Sequence, residues 1–269
     1  MALVPFPGPQ SGAYQPDLED DDDNDGSSGK MSFLEHLDEL RKRIVSALLG
    51  VAIGVLASFA FINHIVNFIL KPTWQVLPPG SRMIYTQPGE AFGLYIQISL
   101  IAGVVIAAPW IMYQVWLFIA PGLYTNEKKL AIPFVALGTI GFITGTIVNH
   151  YLTFPFMMRF FASFNTADLV FMPRLEDVFD LYTKMLLGMG LVFQMPMVVY
   201  TLAKLRMVTA GFLLRHFKYA FLIIFIVAAV ITPTGDMVTQ AIFAAPMVAL
   251  YVLSIFIAWF VRPKQNTGE

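Results

Sequence analysis

An all-α, polytopic integral membrane protein of six transmembrane helices is the fold class that this sequence predicts, and three observations predict it. Hydrophobic residues make up 57% of the chain and charged ones 13%, with a mean hydropathy of +0.67. That balance lies outside the range of soluble domains. Seven of the 18 acids sit between Asp17 and Asp25, so the rest of the chain is almost uncharged. Six apolar runs follow one another, all but the fifth long enough to span about 30 Å of hydrocarbon at about 1.5 Å per residue.

Residues 1–30 combine Pro, Gly and Ser with Glu19-Asp-Asp-Asp-Asp23. They hold too few apolar groups to fold, and the expectation is a disordered acidic tail. The same stretch has no apolar h-region, so no cleavable signal peptide is expected. The main domain is expected over 31–262, with a short polar tail at 263–269. Ser32-Phe-Leu-Glu35 has the form of a capping box. Phe33, Leu37, Leu40 and Ile44 recur at helical spacing, which predicts a short amphipathic helix ending at Arg41-Lys-Arg43. The first span then runs from Ile44 to about Asn63.

Lys71-Pro72 through Pro78-Pro79-Gly80 to Pro88-Gly89 reads as a long connection, with Trp74 and Tyr85 resting on the membrane surface. The second span is expected over about 91–119. Its end, Tyr113-Gln-Val-Trp-Leu-Phe-Ile-Ala-Pro-Gly-Leu-Tyr124, is stopped by Pro121-Gly122 because proline cannot continue a helix. A short loop carrying Glu127, Lys128 and Lys129 leads into the third span, about 130–154. Arg159 to Glu176 is a second connection, and the fourth span covers about 178–205. The fifth run, Tyr219 to about Thr232, reaches only about 21 Å, so it must stop part-way or thin the bilayer. Pro233-Thr-Gly-Asp236 turns the chain into the sixth, about 237–261. Prolines 109, 133, 155, 196 and 246 add bends, which predicts a curved, concave bundle.

Six spans put both termini on one side. That side carries Lys30, Arg41, Lys42, Arg43, Lys128, Lys129, Lys204, Arg206, Arg215, Lys218, Arg262 and Lys264, twelve of the 17 basic residues. Basic residues favour the cytoplasmic face, so both termini are expected there.

Zero cysteines exclude disulfides and thiolate chemistry, and His36, His64, His150 and His216 are scattered, so no metal site or cofactor is expected. No phosphate-binding loop or nucleophile–base pair is evident, which argues against an enzyme. Two acids at span ends, Glu39 and Glu127, are candidates to bind a basic ligand, since an ionic contact at the interface is stronger than in water. Each also has a local alternative: Glu39 with Arg43 at i,i+4, and Glu127 with Lys128. Gln194 is the deepest polar side chain, and Thr232 and Gln240 are candidates to meet it. Ordinary interhelical hydrogen bonding, or the carbonyl freed by Pro196, would equally satisfy Gln194. Asp180 and Lys184 read as an i,i+4 ion pair, and Asp236 as a helix cap.

Phe33-Leu-Glu-His-Leu-Asp-Glu-Leu-Arg-Lys-Arg43 and Tyr113 to Tyr124 followed by Glu127 resemble the signature segments of the TatC family, the core subunit of the twin-arginine protein translocase. Phe193-Gln-Met-Pro196, Thr232-Pro through Asp236 to Gln240, and Ala245-Pro246 are similar to its later motifs, and the likeness extends over about 31–262. The resemblance implies a receptor in the bacterial cytoplasmic membrane for folded cargo whose signal peptides carry paired arginines. It implies that Glu39 and Glu127 bind that motif, with Phe118 beside them. It implies that the single-span subunits TatA and TatB dock near Gln194, Thr232 and Gln240. A homo-oligomer within the receptor complex and energy from the proton-motive force are implied as well; nucleic acid is not. Two features depart from the family pattern: Gln194 replaces a frequent glutamate, and the turn at 233–236 is one residue longer than in some members. A secondary transporter for a small solute is the rival class. Against it stands the lack of an internal repeat.

Overall fold

The computed structural model describes residues 33–77, 81–120, 130–166, 168–232 and 235–261. Ten α-helices occupy them: α1 Phe33–Phe59, α2 Ile62–Val76, α3 Glu90–Ile119, α4 Ala131–Val148, α5 Phe154–Ala162, α6 Leu175–Val192, α7 Met195–Lys204, α8 Ala210–Arg215, α9 Phe217–Ile231 and α10 Met237–Phe260. Ile84 and Arg174 form the one isolated β-bridge among the described residues. Five helical stretches are long and apolar enough to cross a membrane: 34–59, 90–119, 131–162, 175–204 and 237–260. Phe217–Ile231 is the shorter apolar helix, as the fifth run predicts. The acidic tail and the residues beyond 261 lie outside the described residues.

Lipid tails are as apolar as leucine, so helices in a membrane associate through close packing and hydrogen bonds rather than expulsion from water. Two seams of small residues supply that packing. On α1, Gly50, Gly54 and Ser58 recur every four residues and face Trp110, Gly103 and Ser99 of α3. A Cβ on Gly54 would stand 2.5 Å from the Gly103 carbonyl oxygen, and one on Gly50 would strike the Trp110 ring. Ser58 Oγ donates to the Ser99 carbonyl at 3.0 Å, and Trp110 Nε1 donates to the Ser46 carbonyl at 3.0 Å. The second seam joins α4 to α6: a Cβ on Gly145 would lie 2.7 Å from the Met189 carbonyl oxygen, and Gly190 receives the Phe142 ring. Between and beyond these seams the fully buried core is built from Ile98, Phe154, Met157, Met185, Met189 and Phe243.

The helices pack as neighbours in a row, α1 on α3, α3 on α4, α4 on α6, then α7 on α10 and α10 on α9, with no extensive contact between α1 and α9 or α10 to close it. An open row of this kind agrees with the curved bundle expected from the prolines. Pro155 follows a π-helical turn at Asn149–Thr153 between α4 and α5, and Pro196 follows the break between α6 and α7. Pro109 and Pro246 stay inside α3 and α10.

Three expectations are corrected. The amphipathic segment and the first span form one continuous helix, α1, because nothing in Arg41-Lys-Arg43 breaks helical geometry. The connection expected to begin at Lys71-Pro72 is helical as far as Val76: these residues end α2, whose Val66, Ile69 and Leu70 are buried against neighbouring helices and which tolerates Pro72 in its last turns. Asp180 and Lys184 do not pair; both are exposed, where such a pair gains less than about 1 kcal/mol. The ion pair at that end is Arg174 with Glu176, 3.1 Å apart.

Candidate functional site

Glu39 lies on the face of α1 that also carries His36 and Arg43, three residues before and four after it. Arg43 Nε donates to Glu39 Oε1 at 2.7 Å, and its Nη2 contacts the same oxygen. The Glu39 side chain is 16% exposed, so it remains partly open beside the pair. The His36 ring stacks on Phe118, with centroids 4.4 Å apart and planes 22° apart. This contact ties the start of α1 to the last turn of α3. Trp116, two residues earlier, is buried against Phe134 of α4 and Met197 of α7, which anchors that turn from the other side. Phe118 therefore stands where the chain leaves α3 toward Glu127. Glu127 itself lies outside the described residues.

Arg43 occupies Glu39 weakly. An i,i+4 pair of this kind is worth about 0.3–0.5 kcal/mol. An arriving guanidinium with better geometry can take the carboxylate at little cost, because planar guanidinium forks match carboxylates bidentately.

The polar side chains deeper in the bundle divide into two groups. Gln194 occupies the position just before α7, makes no side-chain cap there, and is 8% exposed. Its Nε2 donates to the Gly138 carbonyl at 3.0 Å and the Gly190 carbonyl at 3.4 Å, while Oε1 has no partner among the described residues. It thus belongs to the glycine seam between α4 and α6. Thr232 Oγ1 donates to the Ala228 carbonyl at 2.7 Å, and Gln240 Nε2 donates to the Phe225 carbonyl at 2.7 Å. These two hold the end of α9 and its contact with α10. No hydrogen bond joins Gln194 to either. Asp236 caps α10: Oδ2 accepts from the Thr239 backbone N–H at 2.8 Å and Oδ1 from its hydroxyl at 2.6 Å. Gly235 before it takes φ +63°, the left-handed region where glycine carries no steric penalty.

Two further constellations escaped the sequence reading. At the end of the bundle away from residues 119–130, Glu90 accepts from the backbone N–H groups of Thr86 and Glu176, at 2.8 and 3.1 Å, and so joins the start of α3 to that of α6. An acid directly after Pro88-Gly89 was the available signal. His150 Nδ1 lies 3.0 Å from the Tyr182 hydroxyl, both buried. Only three-dimensional packing brings that pair together. Among the described residues no group of three His, Asp or Glu is placed to hold a metal ion.

Residues 35–246 match the model of the family described as Sec-independent protein translocase protein (TatC). The chain belongs to the TatC family. It is 38% identical over 241 residues to the TatC protein of Koribacter versatilis, covering 88% of each chain. It is 38% identical over 234 residues to that of Helicobacter pylori strain J99, covering 87% of this chain and 91% of the relative. Among solved structures, a crystal structure of the twin arginine translocase receptor TatC matches with a TM-score of 0.71 at 31% identity, over 84% of this chain and 99% of the other. A second crystal structure of that receptor, in a detergent, matches with a TM-score of 0.74 over 83% of this chain. The all-helical fold with its short penultimate span is thus that of TatC, and the chain is a membrane component of a protein translocase.

Proposed function

We propose that this chain is the receptor subunit of a twin-arginine translocase, working by binding rather than catalysis, in a bacterial cytoplasmic membrane with both termini in the cytoplasm. The observation that carries the reading is Glu39, a partly open carboxylate held among the described residues by Arg43, on a helix face stacked through His36 against Phe118. In sequence, Glu127 follows Phe118 by nine residues. Two acids set apart at a fixed distance can read two adjacent arginines, and lysine cannot imitate the bidentate contact.

The apolar part of the signal peptide then lies along the open row of helices. TatA- and TatB-like single-span partners dock near the short α9, where Thr232 and Gln240 hold the helix end and where Val230 and Met237 are each 80% exposed. Gln194 stands apart from them in the α4–α6 seam, where its Oε1, without a partner among the described residues, offers a separate polar contact to a docking helix. The proton-motive force supplies the energy, and several copies act together in the receptor complex.

Binding of a twin-arginine signal peptide to the full chain in nanodiscs tests the reading. Glu39→Ala and Glu127→Ala should each weaken it by about 1.5–3 kcal/mol, the worth of a charge-assisted hydrogen bond. Unchanged affinity in both variants, with normal insertion, would sink the recognition model.

A further inference from the structure

A cavity of about 310 Å³ lies between α2, α3, α4 and α6, and its lining is ordered along its depth. His150 stands nineteen residues beyond Ala131, about 28 Å along the helix, close to the far boundary of a hydrocarbon layer of about 30 Å. Phe68, Tyr151 and Tyr182 surround it at that end. Farther toward the bilayer centre the walls are Val105, Ile106, Ile147 and Leu186, all apolar. The cavity is therefore amphipathic along one axis, polar at the membrane boundary and apolar within.

The polar end is built around one ring. His150 is 3% exposed and stacks on Phe68, with centroids 4.1 Å apart and planes 12° apart. Tyr151 packs edge-on against it at 4.7 Å. Its Nδ1 is engaged by the Tyr182 hydroxyl. Its other nitrogen, Nε2, has no protein partner among the described residues, although the ring is more than nine-tenths buried. When Tyr182 donates to Nδ1, Nε2 carries the proton and must find an acceptor. Lys71, three residues along α2 from the cavity-lining Phe68, is exposed.

We infer that this cavity is a phospholipid site: one acyl chain fills the apolar depth, an ester carbonyl accepts from His150 Nε2, and the phosphate meets Lys71. Each part of the ligand matches a part of the wall. The ester lies where the hydrocarbon layer ends, the phosphate in the headgroup zone just outside it, and the chain in the dry interior. The volume falls at the small end of ligand cavities, which fits a single chain better than a bulky solute. A lipid held here would fill the space between α2 and the α4–α6 seam, stiffening the end of the bundle opposite the signal-binding face.

The full chain in nanodiscs containing phosphatidylglycerol with a diazirine on its acyl chain provides the test, read by mapping the photolabel. Labelling should concentrate on Val105, Ile106 and Leu186. Val105→Trp, which fills the cavity, should abolish it. Lys71→Gln should lower it roughly fivefold, the factor equivalent to about 1 kcal/mol per basic residue at an anionic surface. His150→Phe keeps the stack on Phe68 and should lower the yield by a similar factor. Lys71 is exposed, so its variant decides the matter even if Val105→Trp fails to insert. Unchanged labelling in Lys71→Gln and His150→Phe would overturn the site. Labelling of the same residues by a photoreactive quinone in preference to the phospholipid would reassign it.

Discussion

The α1–α3 pair and the α9–α10 pair stand at opposite ends of one row of helices, and they are held by different means. The first is closed by backbone approach: glycines at 50, 54 and 103 let the two helices touch, and two hydrogen bonds to main-chain carbonyls lock their register. The second is held by side chains reaching across. Gln240 reaches the Phe225 carbonyl in α9, and Tyr251 reaches the Leu213 carbonyl in α8 at 2.9 Å. Only Ile224 and Ala228 of α9 are buried. Backbone contact fixes a distance, as recognition of two arginines requires. A short helix pinned by a few polar bonds leaves apolar surface open for other helices. The backbone-to-backbone seam lies where the peptide is proposed to be read, and the side-chain-pinned short helix where the partner subunits are proposed to dock.

The comparison is broken most severely at the first seam. Gly54→Leu drives a side chain into the Gly103 backbone, and should cost about 3 kcal/mol as overpacking. Thermal unfolding in detergent should show the loss directly, and signal-peptide binding should fall with it. A midpoint equal to wild type would mean that α1 is free to move away from α3, contrary to the close approach described above.

Gln240→Leu tests the other end with a smaller expected effect, about 0.6–2 kcal/mol for an intramembrane hydrogen bond. The bundle should stay inserted and still bind signal peptide, while the contacts of partner helices along α9 change. The native chain has no cysteine, so disulfide scanning between a partner and positions flanking residue 240 can read this. A crosslink pattern identical to wild type would make Gln240 an internal contact only.

The smallest effect is expected at Arg43→Ala. Removing the resident guanidinium should tighten twin-arginine peptide binding by about 0.3–0.5 kcal/mol, the worth of the i,i+4 pair. Titration calorimetry at low salt is the suitable measurement. Weaker binding would instead make Arg43 part of the recognition geometry.

The spans were legible because a continuous apolar run has one reading at this length, and Pro121, Pro196 and Pro233 marked where runs end or bend. The shortness of α9 followed from counting residues against bilayer thickness. Helix α2 was hidden because Lys71-Pro72 and Pro78-Pro79-Gly80 read as loop, although Ile62, Ile65, Val66 and Ile69 already stood at helical spacing. Packing against neighbouring helices outweighs the one hydrogen bond that Pro72 forgoes. The pairing of Glu39 with Arg43 was one of two readings open at the outset, and spacing alone could not choose between it and a ligand. The separation of Gln194 from Thr232 and Gln240 depends on how helices turn about their axes, which periodicity in a uniformly apolar helix does not record. His150 and Tyr182 meet across 32 residues, beyond any local signal.

The central claim is that Glu39 reads an arginine of the peptide, and a double-mutant cycle addresses it most directly. Signal peptides with paired arginines and with paired lysines would each be titrated against wild type and Glu39→Ala in nanodiscs. In wild type the arginine peptide should bind more tightly, by about 1.5–3 kcal/mol. In Glu39→Ala most of that preference should vanish, because the two changes remove one shared interaction. Additive losses, with the preference for arginine intact in Glu39→Ala, would contradict the account.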